Sequence, residues 1–184
     1  RHMKSTLIFI CLLIASSAAA DGFASLNRSG TIAIMRHAIA PGFSDPANFT
    51  LGDCSTQRNL DAAGRAQAKT IGAAIRASGV TIDRVMTSQW CRCRETADLL
   101  GMGTPAPLPA LNSFFENRSA AGRQTADLRA FLASLAPDET VMLVTHQVNI
   151  TALTGRGTAS GEVLILEVGQ NGDVKVVEEV LIQP

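Results

Sequence analysis

Three short apolar runs constrain the fold of this chain more than anything else in it: T-I-A-I-M-R (Thr31–Arg36), D-R-V-M-T (residues 83–87) and T-V-M-L-V-T (residues 140–145). Each is too short for a helix, and apolar side chains at successive positions mark a strand buried on both faces, the habit of parallel sheets. Parallel neighbours need a crossover, and helical spacing follows each run: over 61–78, over Cys91–Leu100 with Gly101 as its stop, and over 148–154. A short extended piece over 105–108 and a helix over 125–135 lie between the second and third runs. Residues 162–168 and 174–182 then alternate about Asn171-Gly172, a strong hairpin signal. The expected fold is α/β: a three-layer α/β/α domain whose mainly parallel sheet carries an antiparallel C-terminal hairpin at its edge.

Residues 1–20 read as a cloning remnant (Arg1, His2) followed by a signal peptide. Lys4 supplies the positive start, residues 7–15 a short apolar core, and Ala18-Ala19-Ala20 a small-residue cleavage site before Asp21. The apolar stretch falls short of the about 20 residues that cross a bilayer, so no stable membrane span is expected after processing. A buried core helix or an uncleaved anchor is the alternative, and a retained segment would need a cover, self-association being one. Residues 21–184 then form a single domain. Taking away 1–20 removes Arg1 and Lys4 and no acid, leaving 14 basic and 16 acidic residues. No basic stripe or aromatic stacking platform is left, which argues against nucleic acid as a partner. The expected location is periplasmic or secreted, in a bacterium.

Cysteine usage fits export. Cys54, Cys91 and Cys93 lie in the mature part, an odd number that allows at most one internal bridge. Cys91 and Cys93 stand too close to pair readily with each other, so Cys54 with either of them is the expected bridge in an oxidising compartment; three free thiols is the other reading. C-x-C plus Cys54 gives too few ligands for structural zinc, and neither metal nor cofactor is expected.

The mature part has two histidines, His37 and His146, each directly after a strand; Arg36 precedes the first, and Arg92 follows the second strand. Ligands of open α/β sheets bind at the carboxyl ends of the strands. A neutral imidazole in line with a phosphorus atom can attack it, giving a phosphohistidine that water hydrolyses. The transferring group needs cations around its oxygens, and the planar arginine fork meets phosphate in a bidentate manner. Arg36, Arg92 and a donating or protonated His146 could form that clamp, with amides from the helix that begins near Cys91. Taken singly, an Arg-His pair after a strand is ordinary. It is the convergence of all four at strand ends that points to a phosphate pocket.

These residues carry a resemblance to the histidine phosphatase superfamily, its phosphoglycerate-mutase-like branch. M-R-H-A (residues 35–38) resembles the R-H-G signature with Ala38 in place of Gly, and R-N-L-D-A-A-G (residues 58–64) resembles R-x-L-[TS]-x-x-G. Residues 88–97 resemble S-x-x-x-R-x-x-x-T-A, and V-T-H (residues 144–146) the strand of the second histidine. The likeness runs in order from about residue 31 to 168. It implies His37 as the phosphorylated nucleophile, with Arg36, Arg92 and His146 binding the phosphoryl group. It gives Arg58 and Thr96 supporting places, Arg58 more as a pin on its loop than as a ligand. It also favours Cys91 over Cys93 as the partner of Cys54, because the position before the arginine varies in this family while the one after it is small and packed.

The chain departs from that pattern at the general acid. Ser113 stands where many members carry an acid, and Gln147 follows the second histidine where acid-phosphatase relatives have Asp. Glu116, three residues on, is the candidate donor, and Glu162 a second one. Only residues 41–56 and 111–124 offer lids, which favours a phosphatase over a mutase. The resemblance therefore implies an exported, metal-independent phosphomonoester hydrolase, acting on a phosphorylated small molecule or an envelope glycan phosphate. The alternative is a non-catalytic phosphate- or anion-binding module, or an envelope interaction module, on the same fold.

Overall fold

The structure is a computed structural model that describes residues 22–184. The expected signal peptide lies outside the described residues. The sheet has six strands: β1 (Thr31–Arg36), β2 (Arg84–Thr87), β3 (Ala106–Pro107), β4 (Val141–Thr145), β5 (Val163–Val168) and β6 (Val174–Val180), in the order β3-β2-β4-β1-β5-β6. The β3, β2, β4 and β1 strands run parallel, and β5 and β6 add antiparallel to the β1 side.

Both faces of the sheet are covered. Ala33 and Met35 of β1 pack with Ile71 and Ile75 of α1 (Ala62–Ala77) and with Ala97 and Leu100 of α2 (Cys91–Leu100). The alternate residues Ile32 and Ile34 face Leu128 and Leu132 of α3 (Ala121–Ala133) and Ile150 and Leu153 of α4 (Gln147–Thr154). This is why the central strands show no polar alternation: each side chain meets a helix layer. The α/β/α sandwich is the one expected.

Two glycines fix how closely the α1–α2 layer sits. A Cβ on Gly64 would lie 2.0 Å from the Ile39 carbonyl oxygen, and one on Gly72 2.1 Å from that of Leu100. The first turn of α1 is thereby pressed against the loop that leaves β1, two residues past His37. Asp61 caps this helix, its carboxylate accepting the Gly64 amide at 2.8 Å.

Two details differ from the sequence expectation. The α3 helix begins at Ala121, not 125, because a single 3₁₀ turn (Arg118–Ala120) feeds straight into it with no side-chain cap to mark the start. The terminal hairpin does turn at Asn171-Gly172, but Asn171 keeps a negative φ and only Gly172 is left-handed, at +72°. The Gly172 amide donates to Gly169 at 2.9 Å, and the Gly169 amide to Asp173 at 2.8 Å, which is the longer, bulged hairpin loop rather than the two-residue form.

Cys54 is bonded to Cys91, with their Cα atoms 5.6 Å apart, and Cys93 is the free thiol among the described residues. Closing a loop of 37 residues should stabilise by about 4 kcal/mol in the chain-entropy picture. Double substitution of Cys54 and Cys91 by Ser is therefore expected to lower the denaturant midpoint well below that of the oxidised protein. An unchanged midpoint would show that the bridge contributes nothing.

Candidate active site

The site lies where three adjacent parallel strands end. After β1 the chain continues its pairing for one residue, the His37 amide donating to the Thr145 carbonyl at 2.9 Å. After β4 comes His146, and after β2 comes Ser88, whose amide donates to Val144 at 3.0 Å. Both imidazoles are buried, 2% and 3% exposed, with ring centroids 5.5 Å apart.

The hydrogen bonds settle the tautomer of each ring. His37 Nδ1 lies 2.8 Å from the Ala38 carbonyl, which can only accept, so Nδ1 carries the proton and Nε2 is a bare lone pair. Arg92 Nε donates to that Nε2 at 3.2 Å. At His146 the Arg92 Nη2 lies 3.4 Å from Nδ1, which must accept; Nε2–H then donates to Ser88 Oγ at 2.8 Å. Burial first, then the Arg92 charge, holds His37 well below the usual histidine range. His146 is pushed the same way by burial, by His37 and by Arg92. Both rings are neutral at physiological pH.

Arg92, 4% exposed in the first turn of α2, organises the cluster. Its Nε and Nη2, the side-on edge of the fork, face the two histidines. Its remaining nitrogen, Nη1, donates to Asp45 Oδ1 at 2.8 Å and to the Arg58 carbonyl at 3.3 Å. Thr96 ties this turn to the segment that follows His37, accepting the Ala38 amide at 3.1 Å and donating to the Arg92 carbonyl at 2.7 Å. That is a physical basis for the T-A pair that follows the arginine in sequence.

Arg36 and Arg58 flank this group. Arg36 Nη1 donates to the Thr158 carbonyl at 3.0 Å and to Gln147 Oε1 at 3.2 Å, so the residue after the second histidine serves to hold an arginine. Arg58 Nη1 donates to the Ala40 carbonyl, a pin on its loop. The Nε of each is buried without an acceptor. Burial and the nearby Arg92 charge lower both guanidinium pKa values. Three guanidiniums gather here with two unsatisfied buried donors, an arrangement suited to a multiply charged anion.

The structure does not bring the two candidate acids into this group. Glu116 is exposed and forms no side-chain hydrogen bond or ion pair among the described residues. Glu162 accepts the Ala159 amide at 2.7 Å and closes its own turn. Ser113 accepts the Phe115 amide at 3.2 Å, a local turn as well. From that segment it is Asn112 that reaches in, its Oδ1 accepting the Gln89 amide at 2.8 Å and the Ser88 hydroxyl at 3.3 Å.

Sequence reading gave no role to Asp45, Trp90 and Asn112, and held Ser88 only as the first letter of the motif over 88–97. Burial opposes the Asp45 charge, but hydrogen bonds from Arg92, the Arg58 amide and Trp90 outweigh it and lower its pKa, so it is a carboxylate. Asp45 had one available signal, a lone Asp-Pro in a loop flanked by arginine-bearing motifs. The Cys93 thiol sits 3.4 Å from His146 Nε2, and burial pushes it up to about 12, which removes it as a nucleophile. Among the described residues no group of three His, Cys, Asp or Glu side chains could hold a metal ion, and no helix is long and apolar enough to cross a membrane.

The model of the histidine phosphatase superfamily (branch 1) matches residues 32–118. No curated protein sequence matches the chain. Among solved structures, the protein histidine phosphatase SixA complexed with tungstate superposes with a TM-score of 0.57 at 18% identity, covering 82% of this chain and 96% of its own. Bacillus stearothermophilus YhfR gives 0.59 at 17% identity, covering 80% and 95%. A mycobacterial glucosyl-3-phosphoglycerate phosphatase in complex with VO3 gives 0.58 at 16% identity, covering 75% and 92%. With its strand order and its paired imidazoles the chain has the fold of these histidine phosphatases, and its residues 32–118 match the model of branch 1 of that superfamily.

Proposed function

We propose that this chain hydrolyses phosphomonoesters through a phosphohistidine on His37. The observation that carries the proposal is the bare Nε2 of a neutral, buried His37 facing the fork of Arg92. In the first step the Nε2 lone pair attacks phosphorus, and the ester P–O bond breaks with its electrons on the leaving oxygen. Positive charge that grows on the ring is met by the Ala38 carbonyl on Nδ1–H. Water then attacks phosphorus, the P–N bond breaks, and inorganic phosphate leaves. Arg92, Arg36 and His146 are the proposed ligands of the phosphoryl oxygens, with Arg58 in support. No metal takes part in this scheme, because guanidiniums supply the charge that a metal would otherwise bring.

The proposed address is the periplasm or the exterior, supported by the amino-terminal pattern and by a disulfide in the loop beside the site. There the substrate is a phosphorylated small molecule or an envelope glycan phosphate. The test is a panel of phosphomonoesters supplied to the mature protein, with rapid quenching to trap acid-labile phosphohistidine. Chelator is expected to leave the rate unchanged, while vanadate or tungstate inhibits. A rate that vanishes with chelator and returns with a divalent ion would overturn the metal-free scheme.

Glu116, exposed in the loop that follows Asn112, is the proposed proton donor to the leaving oxygen. An alkoxide needs that proton and a nitrophenolate barely does. Glu116→Gln is therefore expected to lose about 100-fold on alkyl phosphates and much less on p-nitrophenyl phosphate. Equal losses on both would make it a residue that shapes the pocket; no loss on either would transfer the role to Glu162, water or the substrate.

A further inference from the structure

We infer that Asp45 is a positioning residue for the phosphoryl-binding fork: its carboxylate holds the outer nitrogen of Arg92 so that the inner edge stays turned to both histidines. This rests on the phosphohistidine reading of the site. Asp45 Oδ1 takes Nη1 of Arg92 at 2.8 Å and the Arg58 amide at 3.0 Å, and Oδ2 takes Trp90 Nε1 at 3.0 Å. Among the described residues it is the one acidic side chain bonded to Arg36, Arg58 or Arg92.

A guanidinium has two usable edges and rotates easily when only one is held. With Nη1 fastened, Nε and Nη2 can point only at the space between His37 and His146, where the phosphoryl group must pass. The carboxylate itself is fastened three times, and its loop is fixed to the two residues that precede Arg92. The disulfide joins that loop to Cys91, the residue before the arginine, and the Phe49 ring stacks on Trp90 at 5.0 Å. The bridge and the carboxylate thus act on one guanidinium, the first through the backbone and the second through the side chain.

Two other roles are open to a carboxylate in this place, and they predict different results. A general acid would matter in proportion to how poor the leaving group is. A resident anion competing with phosphate for Arg92 would make oxyanions bind more tightly once removed. A positioning residue does neither: its loss lowers kcat equally on good and poor leaving groups and weakens the five-coordinate mimic vanadate.

The experiment uses the full oxidised chain with Asp45→Ala, Asp45→Asn and Trp90→Phe. It follows kcat and KM on p-nitrophenyl phosphate and an alkyl phosphate, inhibition by vanadate, and thermal unfolding. Asp45→Ala is expected to lower kcat about 10- to 100-fold on both substrates, with KM changed only a few-fold and vanadate weakened about 10-fold. Asp45→Asn, which retains an oxygen for Nη1, should recover part of that loss. Trp90→Phe keeps an aromatic ring between Phe49 and His146 while deleting the N–H to Oδ2, so it should lose several-fold in the same sense even if the alanine variant folds poorly. Tighter vanadate binding, losses confined to the alkyl phosphate, or native kcat in a folded Asp45→Ala would each overturn the inference. Failure of the parent reading looks different, since the unmodified protein would then form no phosphohistidine with any substrate.

Discussion

His37→Ala is expected to lower turnover on every phosphomonoester by on the order of 10⁴- to 10⁶-fold, the scale seen when a covalent nucleophile is removed. The effect should exceed that of any other single substitution because no neighbour can replace the ring. His146 carries its proton on the Nε2 that faces Ser88, and the Cys93 thiol is held protonated by burial. The fold should persist, since the His37 main chain keeps its bond to Thr145 whatever the side chain. Steady-state rates and single-turnover trapping of phosphohistidine measure the loss directly. A variant within tenfold of the native rate would remove His37 from the chemistry. The burial that keeps this imidazole neutral has two further consequences. Its nucleophilic form should persist below the ordinary histidine range, so the acid limb of kcat/KM should lie well under pH 6.5. The unfolded chain, however, takes up protons at both histidines as pH falls through that value, so the stability present above it is lost progressively on acidification. With one of the two rings gone, His37→Ala should show a shallower fall in denaturant midpoint from pH 7.5 to pH 5.

Much of this was legible in the sequence because the informative residues lie at the ends of strands. Runs apolar at successive positions locate β1, β2 and β4, and whatever follows such a run in a parallel sheet emerges on the ligand-binding edge. His37, His146 and Arg92 could therefore be placed without knowing a single side-chain contact. Gly64 was visible only as a letter in a motif; its reason, a helix turn with no room for a Cβ against Ile39, needs three dimensions. Asp45 was hidden for a different cause. It reaches Arg92 across 47 residues from an irregular loop, and no periodicity links a loop position to a helix it touches. Asn112 was missed similarly, and Ser88 was known only as a motif letter, because both gain meaning only from facing His146 and each other. The type of hairpin loop was also beyond reach, since Asn-Gly serves both two-residue turns and longer bulged ones, and the choice depends on where β5 and β6 stop pairing.

Arg92→Lys should give the second-largest loss, about 10²- to 10³-fold in kcat, although it keeps the positive charge. Arg92 makes three separate kinds of contact with three nitrogens: Nε to His37 at 3.2 Å, Nη2 to His146 at 3.4 Å and Nη1 to Asp45 at 2.8 Å. A lysine ammonium is one nitrogen on a flexible stem. Beside Asp45 it would be drawn to the carboxylate, leaving the space between the imidazoles without a donor. If it turned inward instead, Asp45 would lose its charged partner while still largely buried. Either way the planar edge that can meet two phosphoryl oxygens at once is lost, and that edge matters most as the phosphoryl group flattens in the transition state. Arg36→Lys should cost less. Arg36 uses Nη1 on Thr158 and Gln147, so its contribution to the pocket rests more on charge than on a two-toothed fork. Comparing the two variants by kcat on p-nitrophenyl phosphate and by the rate of phosphohistidine formation separates charge from geometry. If both lost the same few-fold, net positive charge would be all the phosphate requires, and the alignment of Arg92 between two histidines and Asp45 would have no catalytic consequence.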